Sequence, residues 1–153
     1  MSTRRDGVLV LDDGTLFEGD VFGDGAVATG EVVFNTSLSG YQEIITDPSY
    51  AGQIITFTYP HIGNYGVNGD DDESRAPHCR GVIVRDLARR PSNWRSTGDV
   101  AGFLDRFGVP VITGIDTRRL TRHLRDTGAR PGAFGTDEAA VRAAAATASP
   151  GSP

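Results

Sequence analysis

The chain has 153 residues, 38% hydrophobic and 23% charged, which suits one globular domain able to bury roughly 70% of the surface of its unfolded chain. A net charge of −5 argues against general nucleic-acid binding. No apolar run approaches the ~20 residues that span a bilayer, and the start Met1-Ser2-Thr3-Arg4-Arg5-Asp6 leads into no apolar signal region. All 15 basic side chains are Arg, which excludes a P-loop lysine, a Schiff-base lysine and a Ser–Lys pair; the single Cys79 forms no internal disulfide, so the cytoplasm is the expected compartment.

Val8 to Leu11 is apolar, Asp12-Asp13-Gly14-Thr15 is a turn signal, and Leu16 to Phe22 alternates loosely, so a β-hairpin is predicted. Glu31 to Thr36 is a β-branched, aromatic strand. Gln42 to Thr46 fits one helical turn, which Asp47-Pro48 should end because the residue before Pro avoids the helical region. Gln53 to Tyr59 is a strand stopped by Pro60. His61 to Arg80 reads as a long loop carrying the acidic run Asp70-Asp71-Asp72-Glu73. Gly81 to Asp86 is a buried strand. Asp99 to Phe107 is a short helix ended by Gly108, and Val109 to Ile115 is a further strand. Asp116 caps a helix over Thr117 to Asp126 that Gly128 closes. Thr136 caps an Ala-rich helix through about Ala146, and 149–153 reads as a linker or frayed end. Strands come early and helices are interspersed later, as in a layered α/β or α+β domain.

Cys79 follows His78, but neighbours on an extended segment point apart, and no Gly-x-Cys-x-Gly elbow surrounds it. It reads as a structural thiol rather than a nucleophile. His61, His78 and His123 are well separated, and the acidic run lacks the alternating spacing of a calcium loop, so no metal site is expected. On the Asp116 helix, Arg118, Arg122 and Arg125 share one face while Leu120 and Leu124 face inward. That face is either plain solvent surface or a docking surface for an acidic partner, since Arg pairs bidentately with carboxylates. Between Asn35 and Gly66, amides, hydroxyls and tight glycine turns are concentrated. They could bind a polar ligand or simply knit loops together, and their chemistry alone leaves both open.

The same segments resemble a known family. Gly30-Glu31-Val32-Val33-Phe34-Asn35-Thr36, Gly40-Tyr41-Gln42-Glu43, Thr46-Asp47-Pro48-Ser49-Tyr50 and Tyr59-Pro60-His61-Ile62-Gly63-Asn64 are similar to the amino-terminal domain of the small subunit of glutamine-hydrolysing carbamoyl-phosphate synthetase. The likeness resumes at Gly81-Val82-Ile83-Val84-Arg85-Asp86, at Ser92-Asn93-Trp94-Arg95 and at Ile115-Asp116-Thr117-Arg118-Arg119-Leu120-Thr121. It runs in order through 7–148.

The resemblance implies an α/β fold of the swivelling type: a three-layer β/β/α domain with mixed sheets and a few short helices, over 1–148. It implies a docking role toward the large subunit, which would hold the ATP and Mg; this chain would carry no cofactor. It also implies that Ser49, in the Asp-Pro-Ser-Tyr motif, lies beside the L-glutamine site of a class I glutamine amidotransferase domain. The ammonia so released would serve carbamoyl phosphate synthesis for pyrimidines and arginine. The sequence reaches Pro153 with no elbow bearing a catalytic Cys. The amidotransferase domain is therefore expected to be absent, and the chain inactive alone as a glutaminase. A stand-alone binding module with no nucleic-acid or membrane partner is the alternative.

Overall fold

The computed structural model describes residues 3–23, 26–36, 41–58, 61–62, 76–87 and 104–147. Strand β1 (Thr3–Leu11) pairs antiparallel with β2 (Leu16–Gly23), as predicted, with Val10 opposite Leu16. The turn is built by its own residues. The Leu11 amide donates to the Thr15 carbonyl at 2.9 Å, the Thr15 amide donates to Asp13 Oδ1 at 3.0 Å, and Gly14 supplies φ +88°. Strands β3 (Ala28–Asn35), β4 (Gln53–Phe57), β6 (Gly81–Ile83) and β8 (Val111–Thr113) then lie parallel to one another. Between β3 and β4 come helix α1 (Tyr41–Ile45) and a 3₁₀ turn, Pro48–Tyr50. A separate parallel pair joins β5 (His61–Ile62) to β7 (Asp86–Leu87). Helix α2 (Thr117–Thr127), β9 (Arg130–Gly135) and α3 (Glu138–Thr147) complete the described chain.

The mixed α/β character is present, but the main sheet does not lie as separate open layers. Its seven strands close in the order β1-β2-β8-β6-β4-β3-β9, with β9 pairing antiparallel to both β1 and β3. Closure leaves no unpaired edge in this sheet. The strand that closes it, β9, has no counterpart among the predicted elements. Two further differences are local. Strands β4, β6 and β8 are shorter than predicted, whereas β1 and β3 begin earlier than predicted. The last helix is capped by Asp137, whose Oδ1 accepts from the Ala140 amide at 3.3 Å, rather than by Thr136. Of the predicted helix Asp99–Phe107, 104–106 are helical and 99–103 lie outside the described residues. So do the acidic run Asp70–Glu73, the segment Ser92-Asn93-Trp94-Arg95 and the tail 149–153.

Strand alternation sorts the apolar side chains into separate clusters. Leu9, Leu11, Phe17, Val21, Val32, Ile54, Ile83, Ile112 and Phe134 come from all seven strands, and Leu120 and Leu124 of α2 join them. Gly81 stands where the Phe134 ring needs room: a Cβ there would meet Phe134 Cε2 at 2.6 Å. The opposite faces of β4 and β6, with Val84 just after β6, pack Ile55, Phe57, Val82 and Val84 against Ile45 and Leu104. Val10 and Ala133 pack against Val141 and Ala145 of α3. Each fully buried Ile or Leu is worth about 1.5–3 kcal/mol, so these faces determine which side of each strand turns inward. No helix among the described residues is long and apolar enough to cross a membrane.

Candidate functional site

Crevices beyond the carboxyl ends of parallel strands are preferred ligand positions, because several chain segments converge there with their loops. In this domain the residues following β3, β4 and β6 meet the first turns of α2 at such a place. Thr36, Thr58 and Arg85 from the strand ends, with Thr117, Arg118, Thr121, Arg122 and Arg125 from α2, line a cleft of about 340 Å³. A neighbouring hollow shares Arg85 and Arg118 and is completed by Gly114, Ile115 and Asp116.

The sequence of α2 sets out this geometry. Asp116 Oδ1 accepts from the Arg119 amide at 3.0 Å and starts the helix, as predicted. Thr117, Leu120, Thr121 and Leu124 are buried, which leaves Arg118, Arg122 and Arg125 on the exposed side. Arg119 departs from that row. Its Nη2 donates to the Leu16 carbonyl at 2.9 Å and its guanidinium lies 4.1 Å from the Phe17 ring centroid, so it ties α2 to β2. Arg125 lies 5.8 Å from the Phe34 ring centroid. Arg85, Arg118, Arg122 and Arg125 make no ion pair among the described residues. Sequence periodicity finds the three helical arginines. It misses Arg85, whose only signal is a charge at the end of an apolar strand.

Ser49 is not part of this cleft. It sits exposed in the 3₁₀ turn that Asp47 caps, with its amide donating to Asp47 Oδ1 at 2.9 Å. Hydrogen bonds from the Ser49 amide and hydroxyl hold the Asp47 carboxyl below its ordinary range. The next residue anchors the turn: Asn35 Nδ2 donates to the Tyr50 hydroxyl at 3.0 Å. The Asn35 carbonyl in turn accepts from the Thr58 amide at 3.2 Å and the Thr58 hydroxyl at 3.3 Å. The turn that presents Ser49 is therefore linked through the end of β3 to a wall of the arginine cleft. This much of the polar segment between Asn35 and Gly66 knits loops together.

Cys79 is 4% exposed, and burial pushes its thiol up to about 11 against weaker hydrogen bonds from the Cys79 and Gly81 amides. At neutral pH it is a protonated core side chain, packed with Ile45 and Val82. Among the described residues, no three His, Cys, Asp or Glu side chains gather closely enough to hold a metal ion.

Comparison with known proteins supplies the family. Residues 9–134 match the family described as "Carbamoyl-phosphate synthase small chain, CPSase domain". The carbamoyl phosphate synthase small chain of Xylella fastidiosa (strain 9a5c) is 58% identical over 127 residues, covering 83% of this chain and 34% of that one. That of Parasynechococcus marenigrum (strain WH8102) is 55% identical over 135 residues, 88% of this chain and 35% of that one. That of Synechocystis is 52% identical over 137 residues, 90% of this chain and 36% of that one. The chain thus spans about a third of the length of these curated relatives. With the match running from β1 into β9, the chain belongs to the carbamoyl-phosphate synthase small-chain family.

Proposed function

We propose that this domain docks the glutaminase subunit of carbamoyl-phosphate synthase onto the large subunit, and that it has no glutaminase activity of its own. In this reading ATP and Mg belong to the large subunit. An amidotransferase domain hydrolyses glutamine, with Ser49 beside its substrate, and the ammonia feeds carbamoyl phosphate synthesis in the cytoplasm for pyrimidines and arginine. The three-layer β/β/α description belongs to the same reading. A closed sheet flattened so that opposite walls face each other, with helices against one wall, would present those layers.

The observation that carries the docking role is the exposed row Arg118, Arg122 and Arg125, unpaired among the described residues in a chain of net charge −5. Guanidinium groups lose little hydration on burial and pair bidentately with carboxylates, which fits them for an interface. Titration of the purified large subunit with this chain, at low and at high salt, tests the reading. Binding should weaken as salt rises, and Arg122→Glu should slow association and weaken it further. Absence of binding at tens of micromolar would defeat the partner. Unchanged binding of Arg122→Glu would move the contact away from α2.

A further inference from the structure

We infer that the arginine cleft is a binding site for a ligand bearing a phosphate group with more than one negative charge. Arg85 approaches it from the end of β6, and Arg118, Arg122 and Arg125 approach it from α2. Among the described residues, the only acidic side chain at the cleft or its neighbouring hollow is Asp116, and one of its oxygens already accepts from the Arg119 amide. A single carboxylate fills one guanidinium fork. Phosphate offers three or more oxygens and can accept from two or three forks at once, so four forks facing one acid match phosphate better. The first turn of α2, an eleven-residue helix, borders the same space and adds the partial positive charge of its amino end.

A second observation also points to a ligand. Thr121 lines the cleft, is 8% exposed, and its Oγ1 has no hydrogen-bond partner among the described residues. Buried hydroxyls without partners are costly and rare, and a ligand oxygen at the cleft floor would supply the missing acceptor. Thr36, Thr58 and Thr117 complete a lining rich in hydroxyls.

The inference does not rest on the docking reading, because the ligand is titrated into this chain alone and the two can fail separately. Inorganic pyrophosphate is added to the full chain by calorimetry, with ionic strength held constant by chloride. One saturable site is expected. The double variant Arg118→Gln/Arg122→Gln should weaken it at least tenfold, since each substitution removes charge-assisted bonds at an exposed position. Arg142→Gln, which alters an arginine paired with Glu138 on α3, should bind like the wild type. Thr121→Val keeps the shape of the side chain and should lose affinity several-fold; full affinity there would remove the hydroxyl from the site. Absence of saturable binding, or equal losses in the double variant and Arg142→Gln, would overturn the site. Citrate binding more tightly than pyrophosphate would overturn its assignment to phosphate.

Discussion

Asp13 joins parts of the chain that are far apart in sequence. Its Oδ2 lies 2.7 Å from His123 Nε2 near the end of α2, and 3.7 Å from Arg130 Nε at the start of β9. Arg130 Nε also donates to Asp12 Oδ1 at 2.6 Å. Partial burial would raise the Asp13 carboxyl. The Thr15 amide and hydroxyl, His123 and the Arg130 charge outweigh that and hold it at about 2, below an ordinary 3.8. The folded chain thus takes up this proton less readily than the unfolded chain. The stabilisation is complete above about 3.8 and is lost as the pH falls through about 2. Because these groups are partly exposed, the network is worth on the order of 1 kcal/mol. Asp13→Asn should therefore lower the unfolding free energy at pH 7 by that amount, seen as a lower urea midpoint, and the two proteins should converge as the pH approaches 2. A constant gap across this range would assign the effect to the shape of the turn rather than to the charge.

At the scale of the element, β9 decides the architecture, and its sequence hides it. Arg130-Pro131-Gly132-Ala133-Phe134-Gly135 has no β-branched residue and contains both strand breakers, so propensity gives no strand there. Tertiary contacts override propensity. Gly132 faces Leu11 and Gly30 in the two flanking strands, and a Cβ on it would meet Val32 Cγ2 at 2.8 Å and Leu11 Cδ2 at 3.1 Å. The missing side chain is what lets Val32 and Leu11 meet inside the barrel. Gly132→Val should cost about 1–3 kcal/mol through overpacking, read as a shifted urea midpoint. Ala129→Val, at the exposed position just before β9, should stay within about 0.5 kcal/mol. Equal effects would mean that β9 does not close the sheet as described. The hairpin, the parallel strands and α2 were legible because each carries a periodic apolar face or a capping residue that acts locally. Barrel closure was not legible, because the pairings of β9 with β1 and β3 depend on residues about a hundred positions apart. The site divides the same way. The row Arg118, Arg122, Arg125 follows from helical spacing, whereas Arg85 joins it only when β6 and α2 are brought together.

At the scale of the whole molecule, Ser49 and the arginine cleft lie on one domain but in separate places, so their roles can be tested apart. Ser49 is exposed on a turn fixed from both sides, by the Asp47 cap before it and the bond between Asn35 and Tyr50 after it. An exposed hydroxyl on a rigid turn can face an adjoining domain without reorganising. If it hydrogen-bonds the charged α-amino or α-carboxylate group of glutamine, its loss removes about 1.5–3 kcal/mol, or roughly tenfold to a hundredfold in affinity. Alternatively, the hydroxyl only serves the turn through its contact with Asp47, and Ser49→Ala then lowers stability alone. The comparison uses 1–148 fused to an amidotransferase domain of the same family and assembled with the large subunit. Glutamine-dependent synthesis by Ser49→Ala should fall through a raised KM. Synthesis from added ammonia should be spared, because ammonia enters after glutamine hydrolysis. Equal losses with both nitrogen donors would assign Ser49 to the subunit contact or to the fold. An unchanged KM for glutamine would remove it from the glutamine site.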